Sequence, residues 1–196
     1  DLHIEDLPPR VLDASAQAAV AEELLSQSFS LTAEGAEPTT FEPSELAGML
    51  HFEIVEDEDS ATYSLLLDGG EITAILDPLI PELDRNPENA RFIFNDDTGE
   101  LDLIAPAIIG RTLDVNATLE SIHADINLGK HESPLVFIYD EPQIGDNATS
   151  EDLGISEPVS IVSTYFSGSS SSRIQNIKTA SSAFHGLLLA PGETLS

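Results

Sequence analysis

Apolar residues recur along this chain in two periods. Between residues 13 and 28, Ala18, Ala21, Leu24 and Leu25 fall on one helical face, and Asp13 is placed to cap it. Phe29–Thr32 alternates as a strand. Pro43 suits the first turn of a second helix, where its missing N–H costs nothing, and Leu46, Ala47, Met49 and Leu50 supply that helix's apolar side. His51–Val55 and Thr62–Leu67 read as strands around the solvated run Glu56–Asp59. Asp68 and Glu71 have capping-box spacing ahead of Ile72, Ile75, Leu76 and Leu79, a helix interrupted by Pro78 and Pro81.

The second half continues the pattern. Arg91–Phe94 and Leu101–Ile104 flank a turn ending at Gly99, which predicts a hairpin. Asp114 caps a helix with Val115, Leu119, Ile122 and Ile126 on its core side, and Gly129 closes it. Leu135–Tyr139 reads as a strand before Pro142. Ser171 or Ser172 is placed to cap a last helix carrying Ile174, Ile177, Ala180 and Phe184 on one face; Gly186 ends it. Leu187–Ala190 reads as a short buried strand, and Pro191-Gly192 as a turn. The serine run Ser167–Ser172 reads equally well as a flexible linker. Helices and strands do not alternate strictly, so the predicted class is α+β, with a mixed, mainly antiparallel sheet, helices packed on it and a C-terminal helix–strand piece.

Composition narrows the function. The 196 residues carry 36 acidic and 7 basic side chains, for a formal net charge of −29. Nucleic acid is excluded as a partner, because phosphate binding depends on basic side chains, and an anionic membrane surface is disfavoured for the same reason. A hydrophobic content of 41% is too high for a disordered acidic chain. There is no cysteine, hence no disulfide and no thiolate chemistry. No stretch approaches the apolar length of a membrane span, so no membrane insertion is expected in this segment.

No catalytic constellation stands out. The five histidines, His3, His51, His123, His131 and His185, include no pair at the helical spacing of a zinc site. No Gly-x-Ser-x-Gly elbow occurs, and 36 acids nominate no particular carboxylate pair. Glu56–Asp59 and Asn95–Glu100 offer oxygen ligands but not calcium-loop spacing. The expectation is no enzyme activity, no cofactor and no specific metal, with weak non-specific Ca²⁺ or Mg²⁺ binding to the acidic surface. Scarcity makes the cations conspicuous: Arg91 and Arg111 are suited either to gripping a peptide carboxylate or to pairing with a local acid. Tyr63, Tyr139 and Tyr165 can present a ring at the surface.

Two resemblances add to this. Thr164-Tyr165-Phe166-Ser167, Arg173-x-x-Asn176-Ile177 and Ala190-Pro191-Gly192-Glu193 resemble the opening of the VanW-like domain of bacterial cell-envelope proteins. The likeness covers about the last 35 residues, and the glycine-rich, cysteine-containing motif of that family is not among them. Asn89-Ala90-Arg91-Phe92, the Gly99 hairpin, Gly110-Arg111-Thr112-Leu113-Asp114 and the strand before Pro142 resemble the peptidoglycan-binding domain found upstream of L,D-transpeptidase and VanW-like domains. Pro9-x-Val11-x-Asp13 parallels Pro142-x-Ile144-x-Asp146, a faint repeat.

The implied organisation is a tail strand of a preceding repeat at 1–12, a peptidoglycan-binding domain at 13–145, a linker at 146–158, and the first part of a VanW-like domain at 159–196. The implied function is a non-enzymatic extracytoplasmic module associated with peptidoglycan or another cell-wall glycan. The alternatives are a spacer that binds no glycan, and an accessory part of a cell-wall-modifying enzyme. Arg91, Arg111, Tyr139, Tyr165, Arg173 and Asn176 are the candidate ligand-binding residues. A signal or membrane anchor is expected upstream. Oligomeric state is not legible.

Overall fold

The computed structural model describes residues 11, 13–57, 60–192 and 194. The expected tail strand at 1–12, apart from Val11, and the tip of the acidic run and Glu193 therefore lie outside the described residues. The mixed α+β architecture is as expected, with small, mostly antiparallel sheets. The chain forms two compact units. Of the described residues, the first comprises those up to Arg85 together with Thr112–Ile138, and the second Asn86–Arg111 with those from Tyr139 onward. The stretch 146–158 lies inside the second unit.

In the first unit, α1 (Ser15–Leu24) is shorter than its apolar pattern suggested. Ala14 occupies the cap position, and the Asp13 carboxylate accepts from the Ser15 N–H at 2.9 Å. Ser26 closes the far end, with its N–H and hydroxyl both donating to the Glu23 carbonyl. Strand β1 (Phe29–Thr32) is central in a three-stranded sheet, between β2 (Thr39–Phe41) and β8 (Glu132–Pro134). The β1–β2 pair is antiparallel and the β1–β8 pair parallel. Pro43 opens α2 (Pro43–Met49) as expected, with Leu46 and Met49 buried. Ala47 faces solvent. The reach-back contact expected of Glu71 is made instead at α2, where Glu45 Oε2 accepts from the Glu42 N–H at 2.8 Å.

Strands β3 (Leu50–Asp57) and β4 (Ser60–Leu67) form an antiparallel ribbon in unbroken register, from Leu50↔Leu67 outward. Asp68 caps α3 (Gly69–Leu76) by accepting from the Glu71 N–H at 2.9 Å. Pro78 and Pro81 break the helix into a 3₁₀ turn and the single-turn α4 (Ile80–Leu83). Each proline sits near the start of its element, where a missing N–H is tolerated.

Helix α5 (Val115–Asn127) packs on α1, α3, β4 and β8. Asp114 caps it, accepting from the Ala117 N–H at 2.9 Å, and Gly129 turns the chain at φ 71°. Its Ile122 and Ile126 are fully buried in one core with Leu24, Phe29, Leu31, Leu65, Leu67, Ile72 and Leu76. Each such side chain contributes about 1.5–3 kcal/mol by leaving water.

The expected strand Leu135–Tyr139 is divided. The Leu135 N–H extends β8 by donating to Thr32 O at 2.8 Å, while Val136 exchanges bonds with Asp114 and Thr118 Oγ1. Pairing resumes in β9 (Phe137–Asp140), the neighbour of β7 (Gly110–Leu113).

In the second unit, β5 (Arg91–Asn95) and β6 (Glu100–Ala105) make the expected hairpin, with a register shift at Arg91/Phe92. Asn95 Oδ1 accepts from the Asp97 and Thr98 N–H groups, and Gly99 takes φ 72°. Residues 149–155 fold on themselves. Asp152 accepts from the Thr149 N–H and hydroxyl, and the Ile155 N–H donates to Ser150 O. The Ser150 hydroxyl donates to Gly99 O at 2.7 Å. Helix α6 (Ser171–Phe184) is capped by Ser170, one residue before the expected serines. It buries no residue. Leu187–Ala190 is not a strand: Leu187 and Leu188 are half-buried, Leu189 is exposed, and the segment is held by the Phe92 N–H donating to Gly186 O at 3.1 Å.

Candidate ligand-binding surfaces of the second unit

The six candidate residues all belong to the second unit, and they fall in three places. Arg91 opens β5 and is half-buried. Its Nη1 donates to Ser182 O and Ala183 O, both at 3.3 Å. These are carbonyls of the last turn of α6, which has no intrahelical donors for them and carries the negative end of the helix dipole. The guanidinium thus caps a helix C-terminus.

Arg173 and Asn176 are exposed near the other end of α6. At 1.5 Å per residue, the carbonyl of Ser182 that Arg91 holds lies about 13 Å along the axis from Arg173 and about 9 Å from Asn176. Three residues apart, Arg173 and Asn176 share a helix face. Tyr165 is 93% exposed and, with Phe166 and Ile174, lines an open hollow at the start of α6. Arg111 and Tyr139 lie on the paired strands β7 and β9. Each is engaged by a partner, Arg111 half-buried and Tyr139 exposed.

A fourth place escaped the sequence reading. A cleft of about 410 Å³ is lined by Asn89, Gln143, Ile144, Asp152, Leu153, Ile155 and Leu188–Pro191. Two shallower hollows, one bounded by Asp140 and Glu141 and the other by Glu88 and Arg91, share Asn89 with it. Asn89 Oδ1 accepts from the Ile144 N–H at 3.0 Å, and the Ala90 N–H donates to Ile144 O at 2.9 Å. These bonds fix the 142–144 loop as one wall. The opposite wall is the Leu188–Pro191 segment.

The cleft combines aliphatic surface with two carboxamides and the Asp152 carboxylate. Hydrogen bonds from the Thr149 hydroxyl and N–H hold Asp152 below the usual carboxylate range, so it stays ionised. Such a lining offers acceptors for amide, amine or hydroxyl donors beside apolar contact for small side chains or a sugar face. The signal was present in the Asn89-Ala90-Arg91-Phe92 element, but its other wall comes from residues about 100 positions away.

Among the described residues, no group of three or more His, Asp or Glu side chains is arranged to hold a metal ion. No described helix is long and apolar enough to cross a membrane.

Comparison with known proteins gives one family. Residues 53–133 match the model described as "Putative peptidoglycan binding domain". That is less than half of the chain, and it spans Arg91 and Arg111 but not Tyr139, Tyr165, Arg173 or Asn176. No curated protein sequence matches. Two solved structures are similar. One is described as the Ldtfm-avibactam carbamoyl enzyme, at 14% identity and TM-score 0.39, over 67% of this chain and 50% of that one. The other is a mutant of Enterococcus faecium L,D-transpeptidase, at 12% identity and TM-score 0.37, over 62% of this chain and 45% of that one. The chain thus spans about half the length of those two structures.

Proposed function

We propose that this chain is a non-enzymatic, extracytoplasmic module of a bacterial cell envelope that associates with peptidoglycan. The observation that carries the proposal is the match of residues 53–133 to the peptidoglycan-binding family. The charge agrees with it in part: at −29 the protein is unsuited to polyanionic partners, and peptidoglycan stem peptides supply amines and amides as well as carboxylates. The Asn89 cleft is one surface we assign to the ligand; Arg111 on β7, outside that cleft's lining, is a separate candidate grip on a stem-peptide carboxylate. The same reading takes residues 159–196 as the first part of a VanW-like domain, on the motif that runs from Thr164 to Glu193.

The test is sedimentation with purified sacculi across a range of salt, with soluble muropeptides assayed in the supernatant. The proposal expects weak co-sedimentation and no muropeptide release. Absence of sedimentation at every salt concentration leaves a spacer module. Muropeptide release makes the chain part of an enzyme.

A further inference from the structure

A cavity of about 450 Å³ lies wholly within the first unit. Its walls are the loop 33–38 between β1 and β2, the segment 79–83 that ends in α4, and Leu135 just beyond β8. That volume is in the range of small-molecule sites, about 300–1,000 Å³. Of these walls, only 79–83 falls within the family match at 53–133.

Backbone bonds hold the walls in place. The Leu31↔Thr39 pair of β1 and β2 closes the base of the loop. The Leu135 N–H donates to Thr32 O at 2.8 Å, and the Asp84 N–H closes α4 by donating to Ile80 O at 2.8 Å. A preformed cavity spares a ligand the cost of ordering it.

Polarity changes with depth. Leu31 and Leu83 are buried at the bottom. Ala33, Ala36, Leu79 and Leu135 are half-buried and pack against the core. Glu37 and Glu82 are exposed, so the carboxylates stand at the mouth. Neither carboxylate has a hydrogen-bond or ion-pair partner among the described residues.

This gradient selects the ligand. Among the described residues, the lining holds no basic side chain, so an anion meets only repulsion. It holds no aromatic ring on which a sugar face or a base could stack. An alkyl chain ended by an ammonium uses both parts. Its stem leaves water against the leucines, and its head stays in water beside Glu37 and Glu82, as lysine side chains do on apolar surfaces. The field of a chain at −29 raises the local concentration of such cations. We propose that this cavity binds an aliphatic primary amine, either a free alkylamine or the aminoalkyl end of a lysine-type side chain. The Asn89 cleft belongs to the other unit, and the proposal does not depend on association with sacculi.

The experiment titrates the whole, methyl-labelled chain with n-pentylamine and follows the leucine methyl groups by NMR. n-Pentanol, pentanoate and Nα-acetyl-lysine methylamide are titrated alongside. Glu37→Gln and Glu82→Gln are made singly and together. Glu120→Gln, at an exposed position on α5 outside the lining, controls for net charge. The inference expects pentylamine to shift Leu31, Leu83 and Leu135 saturably, pentanol to bind more weakly and pentanoate not to bind. Each single Gln variant should weaken pentylamine about twofold to fivefold, as for exposed ion pairs, with Glu120→Gln unchanged. The double variant should weaken it more than either single one. Tighter binding of the lysine derivative than of pentylamine supports a peptide-borne amine, and weaker binding supports a free one. Pentanol binding as tightly as pentylamine would overturn the inference by leaving only apolar contact. Equal weakening by Glu120→Gln and Glu82→Gln would overturn it by reducing the effect to net charge. So would the absence of a saturable shift at these leucines.

Discussion

The carboxamide of Asn127 makes a two-point bridge to the backbone of Leu65, 62 positions earlier in the chain. One side chain at the end of α5 thereby replaces a strand at the inner edge of β4. Its Nδ2 also donates to His123 O at 2.6 Å, and the Ser64 hydroxyl donates to its Oδ1 at 3.3 Å. The nearby His123 ring sits 3.2 Å from Leu67 O.

Removing that bridge leaves the Leu65 N–H and C=O unpaired beside a buried side chain. Asn127→Ala should destabilise the protein by about 2–6 kcal/mol, at 1–3 kcal/mol for each of the two buried groups left unsatisfied. Chemical denaturation measures this, and hydrogen exchange at Leu65 locates it. Loss of under about 0.5 kcal/mol would mean that water replaces the amide without cost.

Asp125 makes a prediction about acid. Its burial raises the carboxyl, but the Lys130 ammonium at 2.7 Å and the Ser133 hydroxyl outweigh that and hold it below 3.8. A depressed pKa gives stability that is present above the unfolded value and is lost as pH falls through the folded one. The pair is partly exposed at Lys130, so the expected effect of Asp125→Asn at neutral pH is modest, about 1 kcal/mol. The difference in melting temperature between wild type and Asp125→Asn should be full at pH 6 and shrink below about pH 4. A difference independent of pH would show that packing rather than charge is lost.

Gly186 is constrained twice. Its φ is 68°, and a Cβ there would run into the Ile104 side chain and lie 3.0 Å from Phe92 O. Gly186→Ala should cost at least about 1–2 kcal/mol from the left-handed backbone alone. It should also expose the Phe92 N–H, which donates to Gly186 O. Faster exchange at Phe92, with the first unit's core amides unchanged, is the expected signature. An unaltered Phe92 amide would show that the hairpin does not depend on this contact.

Much of the fold was legible because local rules act alone at its clearest points. Asp68, Asp114, Pro43 and Gly99 each do what their position in a helix or hairpin demands. The departures have non-local causes. Strand β2 is three residues long, and β8 exists by parallel pairing with β1 across about 100 positions, which no local period reveals. Leu135 and Val136 break an apparently continuous strand because their amides are taken by Thr32 and Thr118. Leu187–Leu189 has strand composition but no strand neighbour. The candidate residues suffered similarly: Arg91 reads as a spare cation in sequence, yet its donors go to α6, and the Asn89 cleft is assembled from segments far apart.

The central claim is association with peptidoglycan, and it is tested most directly by co-sedimentation of the purified chain with sacculi, comparing wild type with Arg111→Ala and Arg91→Ala. The account predicts that wild type sediments, that Arg111→Ala sediments several-fold less with a smaller fall in melting temperature than Arg91→Ala, and that Arg91→Ala melts lower but still sediments. Failure of the wild-type chain to sediment at any salt concentration would contradict it.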